Sequence, residues 1–91
     1  MREYVVIWQP RADIELESAL LSLGDPKAIL DAAIRIDEQL AIDPYQAGES
    51  RDPPFRIVID PPLQVFAEVD FRAKIVYVYR AALWFRIKED E

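Results

Sequence analysis

Three runs rich in β-branched and aromatic residues, FRIVID at 55–60, LQVFAEVD at 63–70 and KIVYVYR at 74–80, follow one another with two short connections between them. Connections this short cannot return the chain to the start of a parallel neighbour, so the runs predict an antiparallel meander. Pro61 and Pro62 donate no backbone hydrogen bond, which suits a hairpin tip and excludes a central strand. If Asp60 pairs with Leu63 and Val69 with Lys74, alternation places Arg56, Val58, Leu63, Val65, Val69, Val76, Val78 and Arg80 on one face. Ile57, Ile59, Phe66, Ile75, Tyr77 and Tyr79 share the other, together with Glu68, away from both arginines. Both faces are strongly apolar.

The first half of the chain supplies the cover for one of them. Tyr4 to Trp8 is a five-residue apolar run, read as a strand buried on both faces, and Pro10 ends it. From Arg11 onward, Ala12, Leu16, Ala19, Leu20 and Leu23 recur at helical spacing, and the Asp/Glu series of this helix reads as its solvated face. Gly24 is a C-cap for this helix, Asp25 an N-cap for the next and Pro26 its first internal residue, which predicts a tight helical hairpin. In the second helix Ile29, Ala32, Ala33, Ile36 and Leu40 form an apolar stripe that Leu30 and Ile34 widen, and Asp43-Pro44 closes it. Residues 44–54, with three prolines and one glycine, read as a loop. Two helices can cover one face of a sheet, so the second apolar face calls for the C-terminal arm, another subunit or a partner segment.

Ninety-one residues make a single domain, 1–91, of the α+β class. The chain has no cysteine, which removes disulfides and thiolate chemistry and suits a reducing cytoplasm, and no histidine, which removes the commonest metal ligand and the usual acid/base of neutral pH. No metal or cofactor is expected, and no stretch approaches the length of a membrane span. The net charge of −6 is unevenly spread: residues 1–50 hold four Lys/Arg against ten Asp/Glu, whereas residues 51–80 hold five against four. The strand half is therefore nearly neutral, with its arginines available for a local anionic site.

The order strand, helix, helix, three-stranded meander resembles the RelE/ParE superfamily of type II toxin–antitoxin toxins. The likeness runs over nearly the whole chain. It includes Asp43-Pro44 followed by Gly48 and Arg51 after the second helix, LQVFAEVD, and VYVYR as a final strand ending in arginine. The resemblance implies a β-α-α-β-β-β fold with a helical hairpin packed on a mainly antiparallel sheet. It also implies a growth-inhibiting toxin neutralised by a cognate antitoxin. One branch of the superfamily cleaves messenger RNA on the ribosome, without metal, by attack of a 2′-hydroxyl on the adjacent phosphate.

In that branch the resemblance makes Arg56 and Arg80 the catalytic candidates, since a guanidinium can stabilise the extra charge of a phosphorane. Arg51 would add a phosphate contact, and Tyr79 and Trp84 a stacking surface for RNA or another target. Gln64 stands where members commonly carry an arginine. Two alternatives therefore stay open: a ParE-like inhibitor of DNA gyrase that acts by binding, and a binding module of the same fold without catalysis.

Overall fold

The computed structural model describes residues 2–22, 25–47, 49–50 and 54–84. The N-terminal strand β1 (Val5–Trp8) leads directly into helix α1 (Pro10–Leu20), and α2 (Pro26–Ile42) follows. Asp25 caps α2 as its position before Pro26 predicts: its Oδ1 accepts from the backbone N–H groups of Lys27 at 3.1 Å and Ala28 at 3.3 Å. Helix α1 stops at Leu20, earlier than the apolar spacing suggested, and Leu21 is 87% exposed. Leu23 and Gly24, expected to finish that helix, lie outside the described residues.

Among the described residues, five strands form one sheet. The expected loop at 44–54 contains a two-residue strand, β2 (Glu49–Ser50), which pairs antiparallel with β3 (Phe55–Asp60). Strands β4 (Leu63–Asp70) and β5 (Ile75–Leu83) complete the order β1-β5-β4-β3-β2. β1 lies parallel to β5, and everything between them in the chain serves as the crossover. The expectation that β1 is buried on both faces is overturned: it is an edge strand, with Val5 60% and Ile7 39% exposed. A short apolar run reads alike in a central strand and in an edge strand whose outer face lacks a cover.

The core lies between the helices and one sheet face. Ile29, Ala32, Ile36 and Leu40 of α2 join Ala12 and Ala19 of α1 against Val58, Leu63, Val65, Val69, Val76 and Val78. This is the stripe that the spacing of the second helix predicts. Leu30 and Ile34, expected to widen it, are 47% and 50% exposed. At the far end of the sheet Arg35 of α2 grips Asp60 with two hydrogen bonds of 2.9 and 2.8 Å, tying the helix to the β3–β4 tip.

Asp60 pairs with Leu63 across Pro61-Pro62, as the sequence predicts. The β4–β5 hairpin differs by two residues: Asp70 pairs with Ile75 and Val69 with Val76. Phe71–Lys74 form its loop, in which Asp70 Oδ1 accepts from the N–H groups of Arg72 and Ala73, and Lys74 takes φ 61°. A shift of two preserves the faces, because side chains alternate with period two. A second irregularity does not. Phe66 pairs with Arg80 but Ala67 with Val78, so Tyr79 is an extra residue in β5.

Ile36→Ala and Leu40→Ala should each destabilise the fold by about 2–5 kcal/mol, whereas Leu30→Ala should change stability by less than about 1 kcal/mol. Urea unfolding midpoints of the three variants measure this contrast directly.

Candidate functional site on the outer sheet face

The bulge at Tyr79 decides which side chains can act together. Up to Val78, β5 alternates regularly, with Val76 and Val78 buried under the helices and Tyr77 on the opposite face. The extra residue moves Ala81 into the buried row opposite Val65 and carries Arg80 to the outer row opposite Phe66. Arg56 stays in the row of Ala67 and Val58, on the helix side. The expectation that Arg56 and Arg80 share a face is therefore overturned by one inserted residue. Glu68 lies on the outer face, as its alternation predicts, and the shift brings Arg80 to that same face.

Arg56 is engaged by backbone carbonyls on the helix side. Its Nε donates to the Ala47 carbonyl at 3.0 Å, and its Nη2 donates to the carbonyls of Tyr45 at 2.7 Å and Ala47 at 2.9 Å. A guanidinium spent on backbone carbonyls of the segment after α2 holds that segment against the sheet. Arg51 lies outside the described residues. Trp84 is half-buried at the end of β5, where its backbone N–H donates to the Pro62 carbonyl at 2.8 Å. Four residues of strand, roughly 13 Å, separate it from Arg80.

What the structure does bring together is Glu68, Tyr79 and Arg80. The Tyr79 hydroxyl donates to Glu68 Oε1 at 2.8 Å, and the Tyr79 and Tyr77 rings stack at 6.3 Å. The hydrogen bond to Glu68, then burial, then the charge of Glu68 push the Tyr79 hydroxyl above the ordinary tyrosine range, so it stays protonated at neutral pH. Beside this pair Arg80 rims a pit of about 160 Å³ shared with Ile57, Gln64, Phe66 and Ala82. Phe55 stacks on Phe66 at 5.5 Å, beside Ile57 in the outer row of β3.

Arg80 is held by an acidic residue of α1. Its Nε lies 2.9 Å from Glu15 Oε2 and 3.2 Å from Oε1, its Nη2 is 2.9 Å from Oε2, and the Ala81 N–H donates to Oε1 at 2.8 Å. Arg11, one turn earlier, approaches the same carboxylate at 3.5 Å. Glu15 thus belongs to the site, although its helix reads as a solvated face. The Arg11–Glu15 spacing of four is visible in the sequence, but the partner across the fold is not. The Arg80 hydrogen bond first, and the Ala81 N–H second, lower the Glu15 pKa below the usual carboxylate range against the opposing effect of burial.

As chemistry, the face offers a guanidinium, a backbone N–H and a hydrogen-bonded carboxylate–phenol pair beside an apolar pit. Among the described residues, no group of three or more metal-ligating side chains comes together. No described helix is long and apolar enough to cross a membrane.

Two outcomes check this geometry. Arg56→Ala should lower stability by about 2 kcal/mol through the loss of its carbonyl contacts, measured by urea unfolding. Because Glu15 has a lower pKa folded than unfolded, its contribution is complete above pH ~4.5 and fades as pH falls through the lowered value. The melting-temperature gap between the parent chain and Glu15→Gln should therefore be constant from pH 7 to pH 5.5 and shrink below pH ~4.5; a gap indifferent to pH would contradict the pairing.

No family model and no curated protein sequence matches the chain. Solved structures do. A chain from the toxin–antitoxin complex RelBE2 of Mycobacterium tuberculosis superposes with a TM-score of 0.69 at 17% identity, over 91% of this chain and 93% of that one. A chain from the chromosomal ParDE TA system of P. aeruginosa gives 0.67 at 18% identity, over 91% and 98%. With β1, the helical hairpin and the β3–β5 meander in the predicted order, the chain has the RelE/ParE fold.

Proposed function

We propose that this protein is the toxin of a toxin–antitoxin pair and that it acts as a metal-independent endoribonuclease on messenger RNA, in the ribosome-dependent manner of one branch of the fold. The supporting observation is the bulge that brings Glu68, Tyr79 and Arg80 to one exposed face. Attack of a 2′-hydroxyl on a phosphate needs a base, an acid and a cation. Glu68 is the candidate base, and Tyr79, kept protonated, the candidate acid. Arg80 is the candidate partner for the phosphorane charge, with the apolar pit beside Phe66 available to a base of the RNA. The cognate antitoxin would cover the apolar outer face, which β1 continues through Val5 and Ile7.

One observation favours inhibition by binding, as in the gyrase-directed alternative. Arg56 lies across the sheet from Arg80, which leaves a single strand arginine on the outer face among the described residues. Transcript integrity separates the two modes. Induction in a bacterial host should arrest growth, co-expression of the neighbouring gene should relieve the arrest, and messages should be cut at defined positions. Arg80→Ala and Tyr79→Phe should each slow cleavage about 100-fold or more. Intact messages with a DNA-damage response would reject the nuclease reading in favour of gyrase. Harmless expression would reject the toxin reading altogether.

A further inference from the structure

We infer that Arg80 and the Ala81 N–H form a phosphate-binding cradle that the chain fills with its own Glu15 carboxylate, making Glu15 an internal competitor that an incoming phosphate must displace. The inference deepens the reading above and rests on Arg80 meeting a phosphate.

The contacts on Glu15 are those of an anion site. Arg80 presents Nε and Nη2 in the fork geometry that suits both carboxylate and phosphate oxygens, and the Ala81 N–H adds a donor fixed by the backbone. Arg11 stands at 3.5 Å on the other side. The Ala81 N–H is free for this use because of the topology. β1 pairs with β5 from Ile75 to Val78, the Gln9 N–H takes the Val78 carbonyl, and the chain then leaves the sheet as α1. Past that point no strand among the described residues lies on this side of β5, and the Ala81 amide bonds the Glu15 side chain instead.

The occupant is also replaceable. The Arg80 side chain is 53% and that of Glu15 23% exposed, so solvent reaches the pair without unfolding of the core. Ion pairs this accessible are weakly held. A phosphate oxygen can take the place of Glu15 Oε1 on the Ala81 N–H, and a second can take that of Oε2 on the Arg80 fork. The displaced carboxylate turns to solvent or stays with Arg11. Arg80 is at the same time a wall of the pit floored by Phe66, so a phosphate in the cradle belongs to a nucleotide whose base has an apolar seat beside it.

The test is binding of inorganic phosphate and of a short single-stranded oligoribonucleotide, followed through the Ala81 amide and Arg80 Nε signals by NMR. Glu15→Gln should tighten binding of one or both roughly fivefold, the factor that removing a surface ion pair allows. Adding Arg80→Ala to that variant should abolish the gain. In the parent chain, saturating phosphate should shift the Glu15 carboxyl signal together with the Ala81 amide, which tests the exchange without any substitution. Unchanged affinity in Glu15→Gln, or a Glu15 signal indifferent to phosphate, would overturn the inference and leave Glu15 as a structural clip. The two readings fail separately: phosphate binding that tightens without message cleavage rejects the nuclease, and Arg80-dependent cleavage without tighter binding rejects the competitor.

Discussion

Two helices supply enough apolar surface for one face of this sheet, and most of the structure follows from how that limit is met. Ile29, Ile36 and Leu40 of α2 take the face made by Val58, Val65, Val76 and Val78, with the alanines of α1 allowing close approach on β5. The outer face keeps its aromatic and aliphatic side chains half-exposed. It is the surface on which a partner's apolar side chains would be buried most favourably. It also carries Glu68, Tyr79 and Arg80.

The position of Arg80 is a consequence of a single extra residue. In a regular strand it would follow Val76 and Val78 toward the helices, where a guanidinium would need a buried partner. The bulge turns it outward, and the early departure of the chain from β1 into α1 leaves the edge beside it open for Glu15. A contact between residues 15 and 80 then links the first helix to the last strand. The pairing lowers the Glu15 pKa and occupies the donors that would serve an external anion.

Arg56 and Arg80 resemble each other in the sequence, each an arginine in an otherwise apolar strand. Their environments separate them. Arg56 is drawn to the Tyr45 and Ala47 carbonyls, whose segment needs donors once it leaves α2. Arg80 meets a carboxylate that solvent also reaches. The two guanidiniums differ in what they bond: backbone carbonyls for Arg56, a solvent-accessible carboxylate for Arg80.

The chain's own pattern determined the α+β class, the helical hairpin with its Asp25 cap and Ile29–Leu40 stripe, and the meander turning at Pro61-Pro62. Each of these rests on local physics: helical and strand periodicity, a capping side chain, a residue without an N–H. Tertiary structure alone decided that β1 is a parallel edge strand, that Glu15 closes on Arg80, and that Glu68 and Arg80 share a face that Arg56 does not. A bulge leaves no mark in a sequence, because alternation of apolar residues through VYVYR continues unbroken across it. Its place is set where β5 gives up its pairing with β1 and must still match β4, a competition among strands distant in the chain.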